Sequence, residues 1–144
     1  MIHPKYNVIS NEKVISKINK KIFNISFYIG GGNNLDIIYN LIKEILKNIK
    51  NKKINLTIII GPLAKNYKKI IDLSIKNKQL NCLIKPNNLS NTIKNSQIFV
   101  GSSGTTIFET AFFKTPSILV RLTKNQDTNI FSLEKLGHYF FINK

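Results

Sequence analysis

The sequence has almost no cysteine or arginine, few acidic residues and no tryptophan. Its one cysteine, Cys82, cannot form an internal disulfide, which favours a reducing, cytoplasmic environment. Besides that thiol only His3 and His138 are present, too few soft ligands for a zinc site. No apolar run approaches the roughly 18 residues of a membrane span, and the N-terminus lacks the apolar core of a signal peptide. We therefore expect a cytoplasmic protein with no metal, no cofactor and no membrane span.

The charge is strongly one-sided, with a formal net charge of +15. Arg121 is the only arginine, and the lysines are scattered among asparagine and isoleucine along the whole chain. An A/T-rich genome imposes this composition on tolerant surface positions, whereas a nucleic-acid binder uses arginine for bidentate contacts. The pattern favours a solvated surface over a nucleic-acid footprint. A basic surface also suits a polyanionic small ligand such as a nucleoside diphosphate.

Apolar runs typical of buried strands alternate with apolar stripes at helical spacing. The runs predict strands at residues 22–29, 56–60, 82–84, 98–100, 117–120 and 139–142. The stripes predict helices at residues 35–49, 67–75, 89–94, 105–113 and 129–136. This alternation predicts an α/β fold with a doubly wound, mostly parallel sheet of five to six strands, which is Rossmann-like. Residues 1–21 read as a polar linker or lead-in, and residues 22–144 as one domain.

Two glycine-rich turns follow the first and fourth predicted strands, the edge at which open α/β sheets bind ligands. Glycine lets the backbone approach a phosphate, and the next helix offers free N–H groups. For the turn at residues 30–34, phosphate binding and a plain turn with positive φ remain equal alternatives. The turn at residues 101–106 adds four hydroxyls, which favours phosphate binding. Neither turn has the Gly-Lys-Ser/Thr of a P-loop.

Two polar groups accompany these turns, and each has a structural alternative. Thr106 and Glu109 have the spacing of a capping box, but a carboxylate at Glu109 also suits the vicinal diol of a ribose. The cluster at residues 125–127 reads either as a sugar-binding loop or as a solvated turn. No Ser/His/Asp order, reactive cysteine or carboxylate pair is visible, so we assign no catalytic residue and expect binding rather than reaction.

The residues from 101 to 120 (GSSGTTIFETAFFKTPSILV), followed by Asn125 and Gln126, resemble the C-terminal domain of the GT-B glycosyltransferase superfamily. They are most similar to PseG-like UDP-sugar hydrolases of pseudaminic acid biosynthesis, and more distantly to MurG-like N-acetylglucosaminyltransferases. The segment FYIGGGN at residues 27–33 resembles the family's strand that ends in a glycine-rich loop. The resemblance covers residues 22–144 and implies the C-terminal half of a GT-B fold.

The resemblance implies a UDP-sugar site built from four segments. The second glycine-rich turn would hold the diphosphate, Glu109 the ribose, and the loop at residues 85–89 the uracil. The first turn would lie near the diphosphate and the interdomain cleft, and the amides at 125 and 126 would face the sugar. The substrate-binding residues expected on this basis are Gly31, Gly32, Asn33, Pro86, Leu89, Ser102, Ser103, Gly104, Thr105, Thr106, Glu109, Asn125 and Gln126.

Two residues depart from the family pattern. Ser103 replaces a glycine, which places a side chain where the backbone should approach a phosphate, and Thr110 replaces an aliphatic or small residue. In the family, the histidine thought to activate water belongs to an N-terminal domain. Residues 1–10 resemble the end of the interdomain linker, so we expect that domain to be missing here and to be supplied covalently or by a separate chain.

The resulting hypothesis is the UDP-sugar-binding half of a hydrolase that releases UDP from a deoxy-diacetamido sugar in surface polysaccharide or nonulosonic acid biosynthesis. On its own, the chain is expected to bind UDP weakly and to be inactive. One alternative is the donor-binding domain of a GT-B glycosyltransferase, MurG-like or split into two chains. A second alternative is a basic nucleic-acid-binding or regulatory module.

Overall fold

A computed structural model describes residues 22–30, 35–50, 52–120, 133–135, 137 and 139–142. The strands are β1 (Phe23–Tyr28), β2 (Ile54–Ile60), β3 (Leu80–Ile84), β4 (Ile98–Ser102), β5 (Ser117–Val120) and β6 (Tyr139–Ile142). The helices are α1 (Leu35–Asn48), α2 (Lys68–Lys76), α3 (Ser90–Asn95) and α4 (Thr106–Phe112). The helix predicted at residues 129–136 falls mostly outside the described residues.

The six strands form one sheet in the order β3-β2-β1-β4-β5-β6, and every pairing is parallel. The strand order reverses at β1, since β2 and β3 extend the sheet on one side and β4 to β6 on the other. Right-handed connections then place helices on both faces of the sheet. The predicted doubly wound, Rossmann-like sheet is confirmed, with six strands that are all parallel.

The strand β1 divides its side chains between these two faces. Phe27 packs with the buried α1 residues Ile38 and Ile42 in one large apolar cluster. Its neighbour Tyr28 packs on the other face, against a cluster that includes Ile93 of α3. Successive side chains of a strand point to opposite faces, so α1 and α2 cover one face of the sheet, and α3 and α4 the other.

Helix α1 forms because its apolar residues recur at helical spacing, with Ile38 and Ile42 fully buried. Asp36 in its first turn and Lys47 in its last turn both complement the helix dipole. With 14 residues it is the longest described helix, and no described helix is long and apolar enough to cross a membrane.

Three strands extend further than the apolar runs predicted, and one of them is β2, which begins at Ile54 rather than at Leu56. Strand β3 begins at Leu80 rather than at Cys82, and β4 continues through Gly101 to Ser102, which pairs with Val120 of β5. The parallel ladders carry these residues into the sheet whatever their polarity, because pairing depends on the backbone. As a result, the first two residues of the predicted second turn belong to a strand.

Candidate functional site

Gly30, which follows β1, and the second glycine-rich turn, which follows β4, lie side by side at the carboxyl edge of the sheet, because β1 and β4 are neighbouring parallel strands. A Cβ atom at Gly30 would lie 3.7 Å from the Ser102 Oγ atom, and a Cβ atom at Gly104 would lie 3.8 Å from it. Gly30 has a φ of 71°, which agrees with the plain turn that was the alternative to phosphate binding for the first turn. The predicted binding residues Gly31, Gly32 and Asn33 lie outside the described residues.

Gly101 is required by packing rather than by a phosphate. A Cβ atom there would lie 2.5 Å from the Tyr28 carbonyl oxygen on the paired strand and would also collide with the Phe99 ring. Its φ is not positive, and neither is that of Gly104, so the alternative of a positive-φ turn is wrong for the second turn. Gly104 is exposed, which leaves its backbone open to a ligand.

The start of α4 excludes the capping box. The N-cap residue is Thr105, which has helical angles (φ −59°, ψ −22°) and makes no side-chain capping bond. A capping box needs its Thr at the N-cap and its Glu three residues later. Thr106 is already the first helical residue, so Glu109 is one position too far along the helix to close such a box.

Two polar oxygens beside this turn are buried without a hydrogen-bond partner among the described residues: the Oγ atom of Ser103 and the Oε2 atom of Glu109. A buried polar atom without a partner costs about 1–3 kcal/mol, and more when it is charged. The Ser103 hydroxyl can donate or accept, whereas an ionised Glu109 carboxylate only accepts. No described residue therefore supplies a donor to the Glu109 Oε2 atom or a partner to the Ser103 Oγ atom.

The remaining hydroxyl residues of the turn differ in exposure. Ser102 is buried at the end of β4, while Thr105 is exposed and Thr106 half-buried. The unusual Thr110 is fully buried, and its hydroxyl donates to the Ile107 carbonyl oxygen at 2.9 Å. The Tyr139 hydroxyl donates to the same oxygen at 2.8 Å, which ties β6 to α4. The hydroxyl of Thr110, which departs from the family pattern, is thus hydrogen-bonded within the helix.

Tyr28 belongs to this region and was missed by sequence reasoning. It packs against the small cluster that includes Phe99, together with Leu89 and Phe112. Burial raises the pKa of the Tyr28 hydroxyl, and the nearby negative charge of Glu109 raises it further. The alternation of β1 puts Tyr28 on the α3/α4 face, but only the register with β4 reveals its neighbours.

The loop at residues 85–89, which was predicted to border a uracil, leads into α3. Leu89 is the N-cap residue of α3, and it contacts the same cluster as Tyr28. Pro86 is half-buried beside Lys85, which has a positive φ of 45° and donates its backbone N–H to the Ile60 carbonyl oxygen at 2.8 Å. The structure thus places Leu89 and Tyr28 against one apolar cluster, whereas Asn125 and Gln126 lie outside the described residues.

Cys82 lies on β3, and burial raises the pKa of its thiol, so this cysteine lacks the depressed pKa of a nucleophile. Among the described residues, no group of three or more His, Cys, Asp or Glu side chains could hold a metal ion.

An all-parallel, doubly wound sheet with glycine- and serine-rich turns at its carboxyl edge defines a Rossmann-like domain. The solved structure of the glycosyltransferase of kitacinnamycin has this fold, with a TM-score of 0.61 at 15% sequence identity. The match covers 85% of this chain and 31% of that structure's chain. The two chains therefore share this Rossmann-like fold.

The chain belongs to the glycosyltransferase family 28 C-terminal domain, whose family model matches residues 25–143. It is also 30% identical over 96 residues to a Helicobacter pylori protein named pseudaminic acid cytidylyltransferase and UDP-2,4-diacetamido-2,4,6-trideoxy-β-L-altropyranose hydrolase. That match spans 67% of this chain and 17% of the relative, so the chain corresponds to a small part of that protein. The predicted membership of the GT-B C-terminal domains is confirmed.

Proposed function

We propose that this domain binds the nucleotide of a UDP-sugar and serves a hydrolase that releases UDP from a deoxy-diacetamido sugar. Membership of the family and the partial similarity to the Helicobacter pylori hydrolase support this function. The observation that carries it is the buried Oε2 atom of Glu109, which has no hydrogen-bond donor among the described residues. A ribose diol supplies two O–H donors and would complete this carboxylate.

The diphosphate would lie against the turn between β4 and α4. The Ser103 hydroxyl, the exposed Thr105 and the open backbone at Gly104 offer donors on one side of this turn. A diphosphate carries acceptor oxygens only, so it matches donors in the way that the ribose matches the Glu109 acceptor. The uracil would then lie beside the loop that leads into α3, near Pro86 and Leu89.

In this proposal the domain contributes binding and orientation rather than bond breaking. Holding the diphosphate fixes the sugar carbon for attack by water, and donors around the phosphates stabilise the negative charge that develops on departing UDP. The residues that activate water would belong to a further domain, which is covalently linked or a separate chain. The 144-residue chain alone is therefore expected to bind UDP-sugars without hydrolysing them.

Calorimetry and NMR titration of the chain with UDP test the proposal. We expect a dissociation constant of roughly 1 mM, with amide shifts from Gly101 to Glu109. Glu109→Gln should weaken UDP binding about 10-fold or more, because a charge-assisted hydrogen bond contributes about 1.5–3 kcal/mol. Glu44→Gln is the matched control, since Glu44 is an exposed α1 residue that pairs with Lys47.

Two results would contradict the proposal. One is the absence of amide shifts in the turn at millimolar UDP, and the other is equal UDP affinity in the Glu109→Gln and wild-type proteins. Oligonucleotide binding that weakens steeply with salt, without any response to UDP, would instead favour a nucleic-acid-binding module.

A glycosyltransferase donor domain is the second candidate, and the family model itself favours it. The two candidates differ in the sugar that they should prefer. Competition binding with UDP-2,4-diacetamido-2,4,6-trideoxy-β-L-altropyranose and UDP-N-acetylglucosamine separates them. Tighter binding of the trideoxy sugar nucleotide supports the hydrolase, and tighter binding of UDP-N-acetylglucosamine supports a MurG-like transferase.

A further inference from the structure

Tyr28 lies at the boundary between the two segments that would hold a nucleoside. It is the last residue of β1 and is in register with Gly101 of β4, two strand residues from the turn at Ser103. The missing side chain at Gly101 leaves room for the close approach of β1 to β4, because a Cβ atom there would collide with the Tyr28 carbonyl oxygen. The Tyr28 side chain therefore enters the α3/α4 face directly beside the turn.

Glu109 approaches Tyr28 from α4. Phe112 and Phe113 lie three and four residues after Glu109, so the three side chains share one face of that helix. Phe112 and Phe113 belong to the same small apolar cluster as Tyr28. The Glu109 carboxylate is close enough to act electrostatically on the Tyr28 hydroxyl. Tyr28 and Glu109 therefore belong to the same face of the sheet, next to one apolar cluster.

Leu89, at the start of α3, packs against the same cluster. Tyr28, Leu89 of the loop at residues 85–89 and the two phenylalanines that follow Glu109 thus contact one apolar cluster. Tyr28 belongs neither to the glycine-rich turns nor to the capping residues of α4. Its hydroxyl is therefore an additional polar group at this position.

We propose that Tyr28 is a further ligand-binding residue, whose hydroxyl donates a hydrogen bond to the ribose hydroxyl that itself donates to Glu109. This inference rests on the proposed function. A ribose hydroxyl that donates to a carboxylate still has free lone pairs, and Glu109 cannot fill them because an ionised carboxylate carries no proton. A phenol beside Glu109 supplies the missing donor, so the pair selects a nucleotide that carries the diol.

The environment of Tyr28 suits a donor. Its pKa is raised by burial and by the charge of Glu109, so the hydroxyl keeps its proton at and above neutral pH. At neutral pH this proton is therefore available for a hydrogen bond to a ligand oxygen.

The test compares Tyr28→Phe with wild type in binding UDP and 2′,3′-dideoxy-UDP, measured by calorimetry on the 144-residue chain. Tyr28→Phe should weaken UDP binding about 5-fold and change the binding of the dideoxy nucleotide less than about 2-fold. Tyr39→Phe is the matched control, because Tyr39 packs half-buried on α1 against the cluster on the opposite face. This control should bind both nucleotides as wild type does.

A double-mutant cycle with Glu109→Gln gives a second readout that a purely structural role would not produce. If both side chains bind the same ribose hydroxyl, the double variant should weaken UDP binding by less than the product of the two single-variant factors. Equal weakening of UDP and dideoxy-UDP binding by Tyr28→Phe, or unchanged UDP binding, overturns the inference. Failure of the wild-type chain to bind UDP instead overturns the proposed function, so the two failures are distinguishable.

Discussion

The two faces of the sheet differ in the number of buried polar residues that they contain. The large cluster on the α1/α2 face is built from buried apolar residues only, most of them isoleucine. The α3/α4 face has two smaller apolar clusters, with three buried residues in each. Most of the buried hydroxyl residues also belong to this face, namely Ser26, Ser90, Ser96, Thr110, Thr115 and Ser117.

The difference separates stability from binding. Within the part of the chain that the structure describes, the four buried side-chain oxygens without a partner lie in β1, α3, the turn after β4 and α4, and none lies in α1 or α2. Each such atom lowers the free energy of unfolding, so a fold selected for stability alone would not collect them. The α1/α2 face therefore acts as the scaffold, and the α3/α4 face carries polar groups that suit a ligand. The following substitutions test this division.

The largest effect is expected from the scaffold face. Phe27→Ala should lower the free energy of unfolding by about 4 kcal/mol, because Phe27 is fully buried and its loss leaves a large cavity. Urea denaturation followed by circular dichroism measures it. Phe140→Ala is the control, since Phe140 on β6 is 58% exposed, and its change should stay within about 0.5 kcal/mol. Similar losses in both variants would remove the distinction between core and edge.

A smaller effect is expected where the two halves of the sheet join. Gly101→Ala should lower the free energy of unfolding by about 2 kcal/mol, because its Cβ atom would collide with the Tyr28 carbonyl oxygen and the Phe99 ring. Gly104→Ala should change it by less than about 0.5 kcal/mol, since the nearest atom to its Cβ lies 3.8 Å away. Thermal denaturation of both variants makes the comparison, and the reverse order would refute the packing explanation.

The smallest effect contrasts two serines on the α3/α4 face, and the two changes should have opposite signs. Ser26→Ala should raise the free energy of unfolding by about 1 kcal/mol, because its buried hydroxyl has no partner among the described residues. Ser117→Ala should lower it by about 1 kcal/mol, because that hydroxyl donates to the Thr115 carbonyl oxygen at 3.0 Å. Chemical denaturation measures both. Destabilisation by Ser26→Ala would mean that the hydroxyl does have a partner.

Apolar periodicity was sufficient to predict the fold. The apolar stripe predicts helix α1 and the isoleucine run predicts strand β2, because the burial of these residues depends on local spacing. Apolar periodicity did not predict the polar ends of strands. For example, β4 includes Gly101 and Ser102, whose sequence suggests a turn. Their place in the strand is set by ladders to β1 and β5, which are distant in sequence.

The candidate site was predicted less completely. The hydroxyl-rich turn and Glu109 follow from the motif, and they stay a predicted binding site. The capping box at Thr106 and Glu109 was a reasonable alternative from spacing alone, but the helix begins one residue too early for it. Tyr28 carried no local signal, since an aromatic residue at a strand end is ordinary.

By itself the sequence determined the order of strands and helices, the parallel sheet and the position of the hydroxyl-rich turn, because these depend on the spacing of apolar residues and on glycine. Only the tertiary structure decided that Gly101 serves packing, that the oxygens of Ser103 and Glu109 are buried without partners among the described residues, and that Tyr28 packs against the cluster of α3 and α4. Burial and pairing of this kind depend on strands and helices far apart in the chain, and their contacts are fixed only when the sheet assembles.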